Sequence, residues 1–120
     1  MTLALLASAA AIPLSFRRTP PVFPMVLTAL EGRVAPERAT ALQDAYDGVA
    51  VQALPPGFIR SQLVRSAADP TLWRIETLWR SRGALDAMRG QGTPAGVLIF
   101  RAASAEPTLT IFDLVREIPS

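Results

Sequence analysis

Four amino acids are missing from this 120-residue sequence: cysteine, histidine, lysine and asparagine. Without cysteine, the chain cannot form disulfides, zinc–thiolate sites, iron–sulfur clusters or a cysteine nucleophile. Without histidine, it lacks the usual general base, the commonest metal ligand and the usual haem ligand, and a histidine-based catalytic triad is excluded. Without lysine, no side chain can form a Schiff base, which excludes pyridoxal-phosphate and lysine-based aldol chemistry.

The charge pattern is also restricted, because all twelve basic residues are arginines and the net charge is only +2. We interpret the arginine content as coding bias in a GC-rich genome. A nucleic-acid-binding protein is expected to cluster its arginines on one stripe, whereas these are scattered from Arg17 to Arg116. No carboxylate cluster has metal-ligand spacing, and no glycine-rich loop has phosphate-binding form. We therefore expect no nucleic-acid partner, no bound metal and no cofactor.

The first 24 residues differ in composition from the rest of the chain. Residues 1–16 carry no charge, but the run is short, rich in alanine and interrupted by Pro13, so it does not predict a membrane span. Arg17 and Arg18 follow the apolar run, whereas a secretory signal has its basic residues before it. Three interpretations stay open for residues 1–24: an extension from an over-called start codon, an arm that packs on the domain or a partner, and a signal.

The remaining sequence, residues 25–118, is expected to form one domain. A chain of this size should bury roughly two thirds of its unfolded surface, which is enough for a core without disulfide staples. We expect a cytoplasmic protein, with secretion the less favoured alternative.

The hydrophobic pattern predicts alternating strands and helices. Apolar and β-branched runs predict strands, and apolar residues at helical spacing predict helices. The short gap between the second and third strands indicates an antiparallel hairpin. Ser81 is suited to cap the second helix and Gly90 to end it. Gly32 may mark a bulge near the end of the first strand. In order, the segments are a strand at Met25–Val34, a helix from Pro36, strands at Phe58–Ser66 and Thr71–Trp79, a helix after Ser81, an ambiguous segment at 94–104 and a strand at Thr108–Ile118.

This order predicts an α+β fold of the ferredoxin-like, split βαβ type with an antiparallel sheet. Such a sheet carries its helices on one face only, yet the segment Leu72–Trp79 has apolar residues on both faces. Trp73, Ile75, Thr77 and Trp79 alternate with a face holding Leu72 and Leu78. A second apolar face predicts a homodimer formed through the open side of the sheet.

Two short motifs carry a resemblance to a known family. They are the turn Pro56-Gly57-Phe58 before the second strand and the run Trp79-Arg80-Ser81-Arg82-Gly83-Ala84-Leu85. With the element order, they make residues 25–118 resemble the antibiotic biosynthesis monooxygenase (ABM) domain family, a branch of the dimeric α/β barrels. The resemblance implies a ferredoxin-like protomer, two sheets pairing into a barrel across a dimer, and a pocket between sheet and helices. Some members oxidise polycyclic phenols to quinones with molecular oxygen and no cofactor, and others open the haem ring.

The sequence departs from the family at one informative position. The family often has a histidine nine residues after the motif tryptophan, and here that position is Met88. Haem-degrading relatives use a histidine and a pocket asparagine, and this sequence has neither residue. Cofactor-free oxygenation stays open, because it requires deprotonation of a substrate phenol and stabilisation of the resulting charge, to which an arginine or a carboxylate could contribute.

Four residues are substrate-binding candidates, and Trp79 alone among them is carried over from the family motif. Trp79 would wall the pocket and stack on an aromatic substrate, or else be a core residue at a strand-to-helix junction. Trp73 lies on the same strand face, where a core role is the simpler interpretation. Tyr46, the only tyrosine, could donate a hydrogen bond to a substrate oxygen or merely pack its helix on the sheet. Met88 most simply fills space with a soft apolar side chain.

Asp113 is the catalytic candidate. A carboxylate in a half-buried strand needs a partner, and Arg74 or Arg60 on a neighbouring strand could supply one. Without a partner and near the pocket, Asp113 would be the best general base in this sequence. Arg74 and Glu76 alternate on the other face of their strand and are expected to form a cross-strand ion pair.

The sequence leaves two possible functions open, one enzymatic and one non-catalytic. The first is a cofactor-independent monooxygenase acting on a hydroxylated aromatic small molecule. The alternative is a non-catalytic small-ligand-binding or structural dimer of the same fold, which the absence of histidine and asparagine favours. A polar group at the pocket floor would support the first, and a pocket plugged by Trp73, Trp79 and Met88 would support the second.

Overall fold

The computed structural model describes residues 24–119 of the chain, so the extension expected over residues 1–24 lies almost wholly outside the described part. Four strands, three helices and one short 3-10 turn follow one another along the described chain. They are β1 (Val26–Arg33), the 3-10 turn (Pro36–Arg38), α1 (Ala39–Val49), β2 (Phe58–Arg65), β3 (Leu72–Trp79), α2 (Arg82–Arg89), α3 (Ala95–Ala102) and β4 (Thr108–Asp113).

The strands form one antiparallel sheet in the order β2-β3-β1-β4. This order is that of the ferredoxin-like fold, so the predicted fold class is confirmed. Val26 in the central strand β1 pairs with Trp79 on one side and with Asp113 on the other. Strand β4 ends at Asp113, earlier than the sequence suggests, opposite Val26, the first residue of β1. One more backbone hydrogen bond follows, from the N–H of Leu114 to the carbonyl of Met25 (2.9 Å).

Local sequence signals explain where α2 begins and ends. The Ser81 hydroxyl accepts a hydrogen bond from the N–H of Ala84 (3.1 Å), which satisfies one of the free donors of the first turn. Gly90 caps the other end, and its N–H donates to the carbonyl of Asp86 (2.9 Å). Both expectations from the sequence are therefore confirmed.

The ambiguous segment is helix α3. Pro94 precedes it, and its carbonyl accepts from the N–H groups of Val97 (3.1 Å) and Leu98 (3.2 Å), which starts the first helical turn. The helix buries Ile99 and Phe100 completely or nearly so, while Leu98 stays exposed. Helical periodicity, not strand alternation, separates the buried from the exposed apolar residues here.

Gly32 does not form the expected bulge, since β1 pairs with β3 without a register shift there. A Cβ atom at this position would lie 3.0 Å from two ring atoms of Phe100, so the glycine makes room for an aromatic side chain from α3. The irregularity lies in β2 instead, between Phe58 and Arg60. As a result Phe58, and not Ile59, lies opposite Trp79 on the face that the helices cover.

Two groups of buried side chains hold the helices on the sheet. The larger, under α1 and α3, includes Leu42, Phe100, Trp73 and Ile75. The smaller, under α2, contains Val26, Trp79 and Leu85. The predicted core character of the helix-covered face is thus confirmed, and each cluster includes one of the two tryptophans.

The other face of the sheet carries no helix of the described chain. A polar ladder crosses it: Arg74 pairs with Glu31 (2.8 Å) and Glu76 (3.3 Å), and Gln62 donates to Glu76 (2.6 Å). An apolar strip lies next to the ladder, where Leu27 pairs with both Leu78 and Phe112. Within residues 24–119, none of the helices has the length and apolar character needed to span a membrane.

Candidate functional site

A cavity of about 610 Å³ lies between the helix-covered face of the sheet and the three helices. This volume falls within the roughly 300–1,000 Å³ typical of small-molecule sites. The walls are mostly apolar. The helices and their connections contribute, among others, Val49, Leu54, Leu85, Met88, Val97 and Ile99.

The sheet supplies the cavity floor through alternate residues of its strands. Ser61 of β2, Thr77 of β3 and Thr28 of β1 lie side by side, because Thr77 pairs with Ser61 on one side and with Thr28 on the other. All three residues line the cavity. The floor is therefore a row of hydroxyl groups, whereas the walls are apolar.

Tyr46 extends this row from α1. Its hydroxyl donates to Ser61 Oγ (3.1 Å), and Thr77 Oγ1 donates to the same atom (3.1 Å). We call Tyr46, Ser61 and Thr77 the hydroxyl cluster. Three hydroxyls carry three protons and these two contacts use two of them, so one O–H is left to donate to a ligand. With Ser61 accepting both bonds, the remaining donor is Ser61 itself.

Trp79 forms part of the wall in a fixed orientation. Its indole N–H donates to Thr28 Oγ1 (3.2 Å), and the Thr28 hydroxyl donates in turn to the carbonyl of Thr77 (3.4 Å). The ring also makes an edge-to-face contact with Phe58, at 5.7 Å between ring centroids and 84° between planes. Both contacts restrict the orientation of the ring, and the bond to Thr28 satisfies its polar group.

The end of α2 and the segment after it form the cavity's outer part. Met88 and Arg89 line it, as do the exposed residues Gln91, Gly92 and Thr93. Arg89 is the one charged side chain among the described lining residues.

A smaller hollow of about 300 Å³ adjoins the cavity beside α2. Pro55, Met88 and Gln91 line both spaces. Gly57 lets the loop approach α2, since its φ is +84° and a Cβ atom would collide with Ala84. Met88 therefore borders both the larger cavity and the smaller hollow.

Three of the five site residues expected from the sequence line the cavity: Trp79, Tyr46 and Met88. Trp73 does not. It lies at the other end of β3 in the larger core cluster, where the guanidinium of Arg65 stacks 5.3 Å from its ring centroid.

Asp113 is also outside the cavity lining. Register places it on the helix-covered face beside Val26, but it ends β4, and its side chain is exposed. The described chain brings neither Arg74 nor Arg60 to it, and Arg74 pairs with Glu31 and Glu76. The ion pair of Arg74 and Glu76 lies within β3, and the cross-strand partner of Arg74 is Glu31 of β1.

Sequence reasoning missed Thr28, Ser61 and Thr77, which are the polar part of the site. Thr77 had a readable signal, because it alternates with Ile75 and Trp79 on a face destined for burial. A hydroxyl in such a position needs a hydrogen-bond partner or a ligand. Ser61 had a similar signal, because it alternates with Leu63, which pairs with Ile75 on the same face.

The described residues do not include a group of three acidic side chains that could hold a metal ion. Neither acidic nor metal-ligating side chains line the cavity in this part of the chain. The arrangement can bind a flat apolar body against Trp79, donate a hydrogen bond from its floor and offer a positive charge from Arg89.

Comparison with known proteins agrees with this architecture. The sequence model of a family described as antibiotic biosynthesis monooxygenase matches residues 25–93. No curated protein matches the sequence.

Three solved structures are similar. SnoaB, a cofactor-independent oxygenase from Streptomyces nogalater, has 18% identity and a TM-score of 0.57, with 81% of this chain and 99% of SnoaB covered. Rv0793 from Mycobacterium tuberculosis has 20% identity and a TM-score of 0.60, with 78% and 98% covered. A conserved protein from Methanosarcina mazei has 18% identity and a TM-score of 0.60, with 75% and 92% covered. At these identities the likenesses establish the fold.

Proposed function

Because the chain belongs to the antibiotic biosynthesis monooxygenase family, whose sequence model matches residues 25–93, we propose that it oxidises a hydroxylated polycyclic aromatic compound with molecular oxygen and without a cofactor. The family membership supports a monooxygenase-type activity. The structural likeness to the cofactor-independent oxygenase SnoaB is in keeping with it, at 18% identity.

One observation supports the substrate class: the hydroxyl cluster lies at the floor of a large apolar cavity with Trp79 in its wall. Fused aromatic rings fit apolar walls and stack on an indole. A phenolic oxygen is the group that a hydroxyl floor can bind. A cavity filled by the protein's own side chains would have supported a structural role, but this cavity has a free volume of about 610 Å³.

The proposed reaction converts a ring CH₂ group next to a phenol-bearing ring into a carbonyl. Loss of the phenolic proton delocalises negative charge onto the ring system, and the CH₂ carbon loses a proton as it becomes carbanion-like. That carbon transfers electrons to O₂, forms a C–O bond and yields a hydroperoxide. Elimination of water breaks the O–O bond and leaves C=O. The balance is CH₂ + O₂ → C=O + H₂O, so the substrate loses four electrons and O₂ gains them.

In this scheme the chain binds the substrate and stabilises charge. The hydroxyl cluster donates to the substrate oxygen as it becomes anionic, a role in which fixed donors lower the barrier. Trp79 and Met88 hold the rings, and Tyr46 belongs to the donor set. Because no described lining residue is a carboxylate, we propose that the phenolic proton leaves through solvent.

The same absence of a base among the described lining residues favours a second candidate, a binding protein that holds an aromatic ligand without converting it. For either function we propose a homodimer through the open sheet face. Its support is the apolar strip of Leu27, Leu78 and Phe112, the last of which is 48% exposed.

Oxygen uptake tests the proposal. The protein is mixed with a tricyclic phenol whose central ring carries a CH₂ group opposite a carbonyl, so that oxidation of the CH₂ gives a quinone, and O₂ consumption is compared with quinone absorbance. We expect one O₂ consumed for each quinone formed, and about a tenfold lower kcat in Thr77→Val, which removes one hydroxyl of the cluster. Thr40→Val, on the exposed side of α1, is the matched control. Saturable binding with no O₂ consumption above the protein-free rate would favour the binding protein.

A further inference from the structure

Arg89 gives the cavity a single sign of charge. It is the last residue of α2, its side chain is exposed, and the segment 91–93 beside it also lines the outer part of the cavity. The hydroxyl cluster lies at the floor of the cavity, where Tyr46 of α1 meets Ser61 and Thr77 of the sheet. Within residues 24–119, the lining therefore has neutral donors inside and one positive charge outside.

Four other arginines of the described chain are engaged in ion pairs, whereas no ion pair is formed there by Arg38, Arg60, Arg65, Arg80 or Arg116. Arg33 pairs with Asp69, Arg74 with Glu31, Arg82 with Asp86 and Arg101 with Glu106. Arg89 forms no ion pair with any residue of the described chain. Its guanidinium is left to interact with solvent or with a ligand in the cavity.

We infer that the natural ligand is an anion: a hydroxylated polycyclic aromatic compound that carries a carboxylate at the end facing Arg89. The aromatic body rests on the proposed function, whereas the carboxylate rests on Arg89 alone. One planar guanidinium matches one planar carboxylate through two parallel N–H···O bonds. A phosphate dianion would call for more positive charge than this lining supplies.

The size of the effect follows from exposure. Water screens an ion pair with the exposed Arg89 side chain, so the carboxylate should strengthen binding by about two- to fivefold. The gain should also depend on ionic strength, because the screening length shrinks from about 10 Å in 0.1 M salt to about 3 Å in 1 M salt. A preference of this size is measurable and sets the acid apart from a neutral analogue.

The test compares a dihydroxyanthraquinone carboxylic acid with its primary amide, which keeps the same rings. Quenching of tryptophan fluorescence gives Kd for both compounds in the wild type, in Arg89→Gln and in Arg82→Gln. The last variant has the same net charge as Arg89→Gln and changes the same helix outside the cavity. We expect the acid to bind about two- to fivefold more tightly than the amide, an advantage lost in Arg89→Gln and in about 1 M salt but kept in Arg82→Gln.

The outcomes separate the two proposals. Equal affinity for acid and amide in the wild type, or an acid preference that survives Arg89→Gln, would overturn the inference and leave the proposed function standing. If neither compound quenches the tryptophans, the aromatic substrate class fails and the inference falls with it. Circular dichroism of Arg89→Gln establishes that α2 is intact.

Discussion

Trp79 and Thr28 are joined by a hydrogen bond from the indole N–H to the hydroxyl oxygen, at 3.2 Å, across the central strand pair. Both side chains are buried, at 4% and 7% exposure. A tryptophan in a cavity wall must have its N–H satisfied without directing it into the cavity, and Thr28 does this from the sheet. The bond fixes which face of the ring a ligand meets.

We predict that Thr28→Val destabilises the fold by about 1–3 kcal/mol, because it leaves a buried indole N–H without an acceptor. The volume of the side chain barely changes, so packing is not the cause. Urea unfolding of Thr28→Val, Trp79→Phe and the double variant forms a thermodynamic cycle. A coupling energy of about 1 kcal/mol is expected for residues in direct contact. Additive effects would mean that the bond contributes nothing.

Met88 is predicted to limit ligand length, because it lies between the cavity of about 610 Å³ and the hollow of about 300 Å³. Met88→Ala should join the two spaces and improve the binding of four-ring over three-ring phenols. The half-buried side chain should cost about 1–2 kcal/mol of stability, less than the range for fully buried methionines.

Met88→Leu is the control for that experiment, since it conserves volume and should preserve the wild-type size preference. Fluorescence titration with a three-ring and a four-ring phenol provides the ratio of affinities. If the affinity ratio in Met88→Ala equals that in Met88→Leu, other residues separate the cavity from the smaller hollow.

Asp69 is predicted to make stability depend on pH in acid. Hydrogen bonds from Arg33 and then from Thr71 lower the pKa of its carboxyl from 3.8 to about 2. The folded-state pKa is depressed, so the stabilisation is fully present above about pH 4 and is lost as the pH falls through about 2. Asp69→Asn should therefore be less stable than the wild type near neutral pH and equal to it near pH 2.

Urea unfolding of both proteins between about pH 2 and pH 6 measures this convergence. The control is Asp44→Asn, which replaces an exposed carboxylate on α1. Its free energy of unfolding should change with pH in parallel with that of the wild type. If the Asp69→Asn curve also stays parallel to that of the wild type down to about pH 2, Asp69 and Arg33 do not form a stabilising pair in solution.

The proposed homodimer predicts that a charge at Phe112 prevents association. Phe112 is 48% exposed on the open face and pairs with Leu27. In a dimer, an aspartate here would bury an unpaired charge, which is strongly unfavourable. Light scattering should give twice the chain mass for the wild type and for Thr40→Asp, and the chain mass for Phe112→Asp. A wild-type monomer would refute the proposal.

The fold was readable from the sequence because its signals are local. Alternation in β3, the Ser81 cap and the short connection between β2 and β3 each depend on neighbours along the chain. The role of Gly32 and the secondary structure of the α3 segment could not be predicted from the sequence around each of them. Gly32 is required because the ring of Phe100, from a helix distant in sequence, packs against it. This contact between β1 and α3 is visible only in the folded structure.

The site was harder to predict than the fold. Trp73 and Trp79 share one face of one strand, and nothing in their spacing says that one is core and the other cavity wall. Which of the two tryptophans is buried in the larger core and which lines the cavity depends on where Phe100 and α2 pack on the sheet. Alternation with Leu63 places Ser61 on the covered face, but only the strand register shows that Thr77 lies opposite it. The irregularity between Phe58 and Arg60 is what brings Phe58 to this face, and strict alternation cannot reveal that.

The last prediction concerns how activity responds to pH. The described cavity lining contains no carboxylate, and the chain has no histidine or lysine, so the group that titrates should be the substrate phenol. A general base on the enzyme would instead impose its own pKa on kcat/KM whatever the substrate. We expect kcat/KM to rise with pH to a plateau, with its midpoint at the pKa of the free phenol. When a ring substituent changes that pKa, the midpoint should shift by the same amount. Profiles for two phenols whose pKa values differ by about two units decide the question. A midpoint common to both would reveal a base in the chain, and Asp113→Asn would then be the first variant in which to look for its loss.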